Sequence, residues 1–193
     1  MRIVDPHLRR ARNIALGMLA LCLLAFLGDW IAFEWYIARP IRNETARILS
    51  EADPEDRDVP PLLRKAMLAA YKDDATLATQ VARVTNAQIF GSGRGRQIQW
   101  ECHEVLENFA WRRMSERELL AVYAAASWNG EDHGMNRLSI RLYSKPLHEL
   151  SEDEAAKIVA LYRGPSYLLK RPDVWQARAD QLRAAMDAPG ARR

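Results

Sequence analysis

The chain has 193 residues, 49% hydrophobic and 27% charged, with nine glycines and nine prolines. That balance excludes a disordered chain and fits one domain of ordinary size plus an anchor. The net charge is only +3, and Arg2, Arg9, Arg10 and Arg12 precede the first apolar run, so the remainder is near neutral. With no stripe of Lys and Arg interleaved with aromatics, the sequence argues against a nucleic-acid partner.

The first element is an apolar run. Residues 14–28, IALGMLALCLLAFLG, carry no charge, and the run continues through DWIAF to Phe33. About 20 residues rising about 1.5 Å each match a hydrocarbon core of about 30 Å. Trp30, Trp35 and Tyr36 follow as an aromatic belt. A cleaved signal peptide is the competing reading, but acidic and aromatic residues stand where its small-residue cleavage site belongs. The reading is therefore a tail over 1–12, a transmembrane anchor over 13–36, a juxtamembrane helix and linker over 37–59, and a helical domain over 60–187. Four arginines before the span favour a cytoplasmic N terminus, although Arg39, Arg42 and Arg47 follow it. Cys22 lies inside the span, so pairing with Cys102 is excluded and no disulfide framework exists. His7, His103, His133 and His148 show no metal-ligand spacing.

Helices follow with almost no strand signal. IRNETARILSEA, after Pro40, reads as a short amphipathic helix, and DPEDRDVPP (residues 53–61) as a charged linker. PLLRKAMLAAY starts with Pro61 in a favourable position. Asp73 and Asp74 stand at the start of the next helix, over 75–86, where an acidic first turn suits the helix dipole. GSGRGR (residues 91–96) is a basic glycine loop without the Lys-Ser/Thr ending of a phosphate loop. Glu101, Glu104 and Glu107 recur every three residues on one helical side, as a solvated face or a carboxylate set for proton transfer or a divalent cation. Ser115 with Glu118, and Ser151 with Glu154, form capping boxes ahead of LLAVYAAA and AAKIVALY. Between them WNGEDHG (residues 128–134) places Glu131, Asp132 and His133 on one turn. Gly164-Pro165 ends a helix, and Pro172 opens the last, running to about Met186. The expected fold class is all-α.

Residues 115–186, SERELLAVYAAASWNGEDHGMNRLSIRLYSKPLHELSEDEAAKIVALYRGPSYLLKRPDVWQARADQLRAAM, have a familiar order. Ser115, Leu120 and Tyr123 fit a Ser-Lys-x-x-Ile-Leu-x-x-Tyr-Leu-Asn helix, and Gly130 and Gly134 a glycine loop. Tyr143 and Lys145 fit a Tyr-Phe-Gly-Lys stretch. Leu150, Ser151, Glu154, Ala155 and Ala156 fit a Leu-Thr-x-x-Glu-Ala-Ala helix; Pro165, Arg178 and Met186 complete the series. Upstream, DDATLATQVAR lines up with Gly-Gly-Ser-Thr-Ile-Thr-Gln-Gln-Leu-Ala-Arg through Thr76, Gln80, Ala82 and Arg83. In these motifs the chain resembles the peptidoglycan glycosyltransferases of family 51, the transglycosylase domain of penicillin-binding proteins and their monofunctional relatives. The resemblance covers roughly residues 60–187, truncated and divergent.

That resemblance implies a lysozyme-like helical domain behind the anchor, outside the cytoplasmic membrane of a bacterium. Its implied ligands are the lipid-linked peptidoglycan precursor or a glycan strand, with other cell-wall synthesis proteins as partners. Thr76, Gln80, Arg83 and Lys145 become the substrate-binding candidates, an Arg suiting phosphate through its fork of donors. The family's Glu-Asp-x-x-Phe-x-x-His-x-Gly motif is missing, because Tyr71-Lys72 runs straight into DDATLATQ. Its Arg-Lys-x-x-Glu is displaced. Counting back from Ser115 reaches His103, with Glu104 beside it, and counting forward from Arg96 reaches Trp100, with Glu101 beside it. The catalytic candidates are therefore Glu104, Glu101, Asp73 and Asp74, with Glu107 in the same face. The expectation is precursor or glycan binding with catalysis reduced or lost. The alternatives are an active polymerase using a displaced carboxylate, with Mg²⁺ or Mn²⁺, and a lysozyme-like hydrolase using Glu131 or Asp132 as acid.

Overall fold

The structure, a computed structural model, describes residues 6–71, 74–90 and 96–188; the side chains of 6–9, 11, 12, 74, 75, 87, 88, 90, 96–102 and 111 lie outside that description. Every named element among the described residues is helical; the β-type pairing seen is one isolated bridge between Trp128 and His133. The chain divides into two compact units, Met1–Arg42 and Asn43–Arg193.

In the first unit, α1 (Pro6–Phe33) carries the apolar run. It is one helix long and apolar enough to cross a membrane, and Leu21, Leu24 and Phe26 are each about two-thirds exposed. A π-helical turn, Glu34–Ala38, joins it to α2 (Arg39–Glu51), and Arg39 N–H reaches back to the Glu34 carbonyl. Pro40 supplies the reason: it has no N–H, and its ring crowds the carbonyl four residues earlier, so the turn before it widens. Arg42 pairs with Glu34 across this turn.

The second unit is built around α7 (Glu116–Ala126), whose residues Leu119–Ala126 are all buried. A helix apolar on every side must be enclosed. Ala121, Ala124, Ala125 and Ala126 allow close approach of α3 (Pro54–Arg57), α5 (Asp74–Phe90) and α8 (Met135–Tyr143). Ile48, near the end of α2, packs on Ala125 and Ala126. On another side α4 (Pro61–Ala70), α9 (Glu152–Leu161) and α11 (Pro172–Asp187) pack together, while α6 (Arg96–Arg113) lies along α5. A short α10 (Pro165–Leu168) links α9 to α11.

Both expected capping boxes form. Glu118 N–H donates to Ser115 Oγ at 3.3 Å and Ser115 N–H to Glu118 Oε2 at 2.8 Å; Ser151 and Glu154 repeat the pattern at the same distances. The segment read as a linker differs. Asp53 accepts the Glu55 N–H at 3.0 Å and Pro54 occupies the first helical position, which nucleates α3. That single turn carries Asp56 into the interior, where it is 1% exposed. GSGRGR lies almost wholly outside the described residues.

Candidate functional site

The substrate-binding candidates of α5 lie along one stripe, because residues 76, 80 and 83 are spaced about one helical turn apart. Thr76 and Gln80 are half-buried and Arg83 is exposed. Arg83 Nη2 donates to the Tyr162 carbonyl at 3.4 Å, just beyond the end of α9, where cations meet orphan carbonyls favourably. One turn inside the stripe, Thr79 Oγ1 donates to Glu107 Oε1 at 2.8 Å. His103 Nε2 stands 3.7 Å from Glu107 Oε2.

The carboxylate face of α6 is therefore divided. Glu107 turns toward α5, while Glu104 is exposed and contributes only its backbone carbonyl, which accepts Asn108 Nδ2 at 2.9 Å. Asp73 and the side chains of Asp74 and Glu101 fall outside the described residues. The Thr79–Glu107–His103 grouping went unread in the sequence, although His103 and Glu107 at i, i+4 already signal a shared face. Among the described residues, no three His, Cys, Asp or Glu side chains gather as a metal site.

Lys145 is brought to a different partner. Its Nζ donates to both Glu154 oxygens, at 2.8 and 3.1 Å. Lys145, joined by the Ser151 N–H, holds the Glu154 carboxyl down to about 2. Tyr143 lies close enough for the Glu154 charge to act on it, and burial foremost pushes its phenol up to about 12. Its hydroxyl is buried without a hydrogen-bond partner among the described residues.

The 127–134 loop is organised by Asn129. Its Oδ1 accepts the N–H groups of Glu131 and Asp132, and its Nδ2 donates to the Asp132 carboxylate and to the Gly134 carbonyl. Arg141 donates to the Asn129 carbonyl at 2.8 Å and pairs with exposed Glu131 at 3.0 Å. Asp132 also pairs with Arg137 at 3.3 Å. Neither acid of this loop is buried, as a glycosidase acid requires.

The buried carboxyl is Asp56. Its Oδ1 accepts the N–H groups of Met135 and Asn136, at 3.0 and 2.9 Å, and so caps α8 from a distant segment. Desolvation pushes Asp56 up to about 7, with help from the Asp53 charge, against the pull of the two N–H donors. Gly134 adopts φ +107°, and a Cβ there would lie 2.7 Å from Asp56 Oδ2. Tyr162 O–H closes the junction by donating to the Gly134 carbonyl at 3.0 Å. Nearby, the Tyr71 and Tyr123 hydroxyls meet at 2.5 Å, and the Tyr123 ring stands edge-on to Tyr71 and Tyr162. Asp56 has a proton affinity suited to general-base work. Its enclosure and its two backbone donors commit it to holding α8.

Comparison with family models and with curated proteins finds no match.

Proposed function

We propose that this protein is a membrane-anchored, divergent relative of the family 51 peptidoglycan glycosyltransferases that binds lipid-linked precursor or glycan strand, with catalysis reduced or lost. The observation that carries the reading is the Lys145–Glu154 pair at 2.8 Å, since these residues match two separate motifs of the resemblance and meet in space. The α5 stripe adds support. Thr76, Gln80 and Arg83 run along the helix packed between α6 and α7, and among the described residues Arg83 spends one of its five donors, on Tyr162. Those donors suit the pyrophosphate of a lipid-linked sugar.

The reading favours binding over polymerisation on physical grounds. An acceptor hydroxyl needs a base within hydrogen-bond reach. Among the described carboxylates, Glu107 is engaged by Thr79, Asp56 is enclosed, and Glu104 is exposed. In this scheme α1 spans the bacterial cytoplasmic membrane with its N terminus inside, a lysozyme-like domain lies outside, and other wall-synthesis proteins are its partners.

The test uses the purified full-length protein in detergent with lipid-linked disaccharide-pentapeptide and Mg²⁺ or Mn²⁺. The expected result is precursor binding that weakens at least about tenfold in Arg83→Gln, with no glycan strands while a true polymerase works in parallel. Strands that disappear in Glu104→Gln would replace this reading with an active polymerase using a displaced carboxylate. Failure to bind either precursor or glycan would overturn it.

A further inference from the structure

Where α4, α9 and α11 meet, a cleft of ≈ 260 Å³ opens to the surface. Its floor is apolar and small, built from Ala69, Ala70, Val159, Ala160, Leu182 and Ala185. Its polar groups are Arg163, Arg178 and Gln181, and among the described residues no carboxylate lines it. Several other cations of the domain are ion-paired. Arg64, Arg137, Arg141, Lys145 and Arg183 each face an acid. Arg183, one turn beyond Arg178 on the same helix, meets Glu152, Asp153 and Asp187. Arg178 has no ion-pair or hydrogen-bond partner among the described residues, and Arg163 donates only to the Ala70 carbonyl, at 3.3 Å. Two arginines thus line one largely apolar hollow, with no counter-charge among the described residues.

We infer that this cleft is a binding site for a small organic carboxylate, with the carboxylate on Arg163 and Arg178 and an apolar body on the alanine floor. Guanidinium forks match a planar carboxylate, and the apolar floor favours a singly charged group carrying alkyl surface over a strongly hydrated phosphate dianion. Gln181 supplies a donor and an acceptor, which suits an amide beside the carboxylate. The volume lies just under the roughly 300–1,000 Å³ of drug-sized sites, so the ligand is a fragment such as a free short-chain acid or the C-terminal end of a peptide. A ligand of that size binds with a Kd on the order of 1 mM. This inference uses none of the α5 residues assigned to precursor binding above, although Arg178 also belongs to the motifs of the resemblance.

The experiment is a ligand-observed NMR titration of the full-length protein in detergent micelles. The probes are valerate, N-acetyl-Ala-Ala, the amide of N-acetyl-Ala-Ala and inorganic phosphate. The expected result is saturable binding of at least one carboxylate, weakened at least about tenfold in the amide and in Arg178→Gln. Preference between valerate and the dipeptide separates a free acid from a peptide terminus. Arg178→Gln removes no hydrogen bond or ion pair within the described residues, so its melting temperature should stay unchanged, and Arg163→Gln serves as the second variant. Equal binding of acid and amide, phosphate bound as tightly as the carboxylates, or no saturation by either carboxylate at about 20 mM would each overturn the assignment.

Discussion

The protein contains two helices that are apolar on nearly every side, and their surroundings are opposite. In α1, Leu21 is 70% exposed; in α7, Leu120 is 2% exposed. Both obey the rule that a helix without a polar face must be enclosed by something apolar. For α7 the enclosure is the rest of the domain, and its alanines let neighbouring backbones come close. The apolar stretch of α1 is uncovered, and its length and composition are those of a helix able to cross a membrane. Side-chain size records the difference. α7 is trimmed to alanine where helices press on it, whereas α1 keeps Leu, Met and Phe around its circumference.

That contrast can be broken first by one substitution made twice. Leu120→Asp should unfold the domain, costing more than about 4 kcal/mol, because it buries an unpaired charge. Leu21→Asp should cost about 3 kcal/mol of membrane insertion and leave the domain's thermal unfolding unchanged. Melting curves and a carbonate-extraction assay on both variants would check the pair. Equal effects on melting would sink the distinction.

The next effect sharpens how α7's neighbourhood is closed. Gly134→Ala should cost about 3 kcal/mol, combining backbone strain at φ +107° with a Cβ against the Asp56 carboxylate. A midpoint in denaturant within error of the parent would refute the close approach.

Asp56 adds a pH dependence of known sign. Its folded pKa is raised to about 7 from 3.8, so the folded state holds the proton more tightly than the unfolded chain. Its contribution is fully present below pH about 4 and is lost progressively as pH rises to about 7. Asp56→Asn keeps an acceptor for the Met135 and Asn136 N–H groups but cannot ionise. The parent's melting temperature relative to this variant should therefore fall between pH 5 and pH 8; a constant difference would show that Asp56 does not titrate there. The smallest effect is local. Ser115→Ala should remove about 1 kcal/mol by opening the α7 cap, measured as a shift in denaturant midpoint.

Legibility in the sequence follows contact distance along the chain. The capping boxes join residues three apart, so Ser115–Glu118 and Ser151–Glu154 could be read directly, and the helices they start followed. The apolar run needed only counting. Lys145 and Glu154 are nine residues apart; the capping box marks Glu154, whereas only the resemblance singles out Lys145. Asp56 is 79 and 80 residues from the N–H groups it accepts, and Tyr71 is 52 from Tyr123. No local pattern announces such pairs. The DPEDRDVPP segment has the composition of exposed chain, which points to a linker. What overrides composition there is a buried helix end, α8, with no side-chain cap of its own.

Local sequence is enough for the helical character of the described residues, for one helix able to span a membrane, and for where most of the later helices start. Those properties depend on hydrogen bonds and apolar spacing within one or two turns. Tertiary structure decided that Glu107 turns to Thr79 while Glu104 faces water, that Lys145 is taken by Glu154, and that Asp56 rather than an acid of the 127–134 loop is the buried carboxyl. Desolvation and charge pairing set those outcomes, and both depend on which distant segments exclude water from a group. That quantity exists only once the helices have packed.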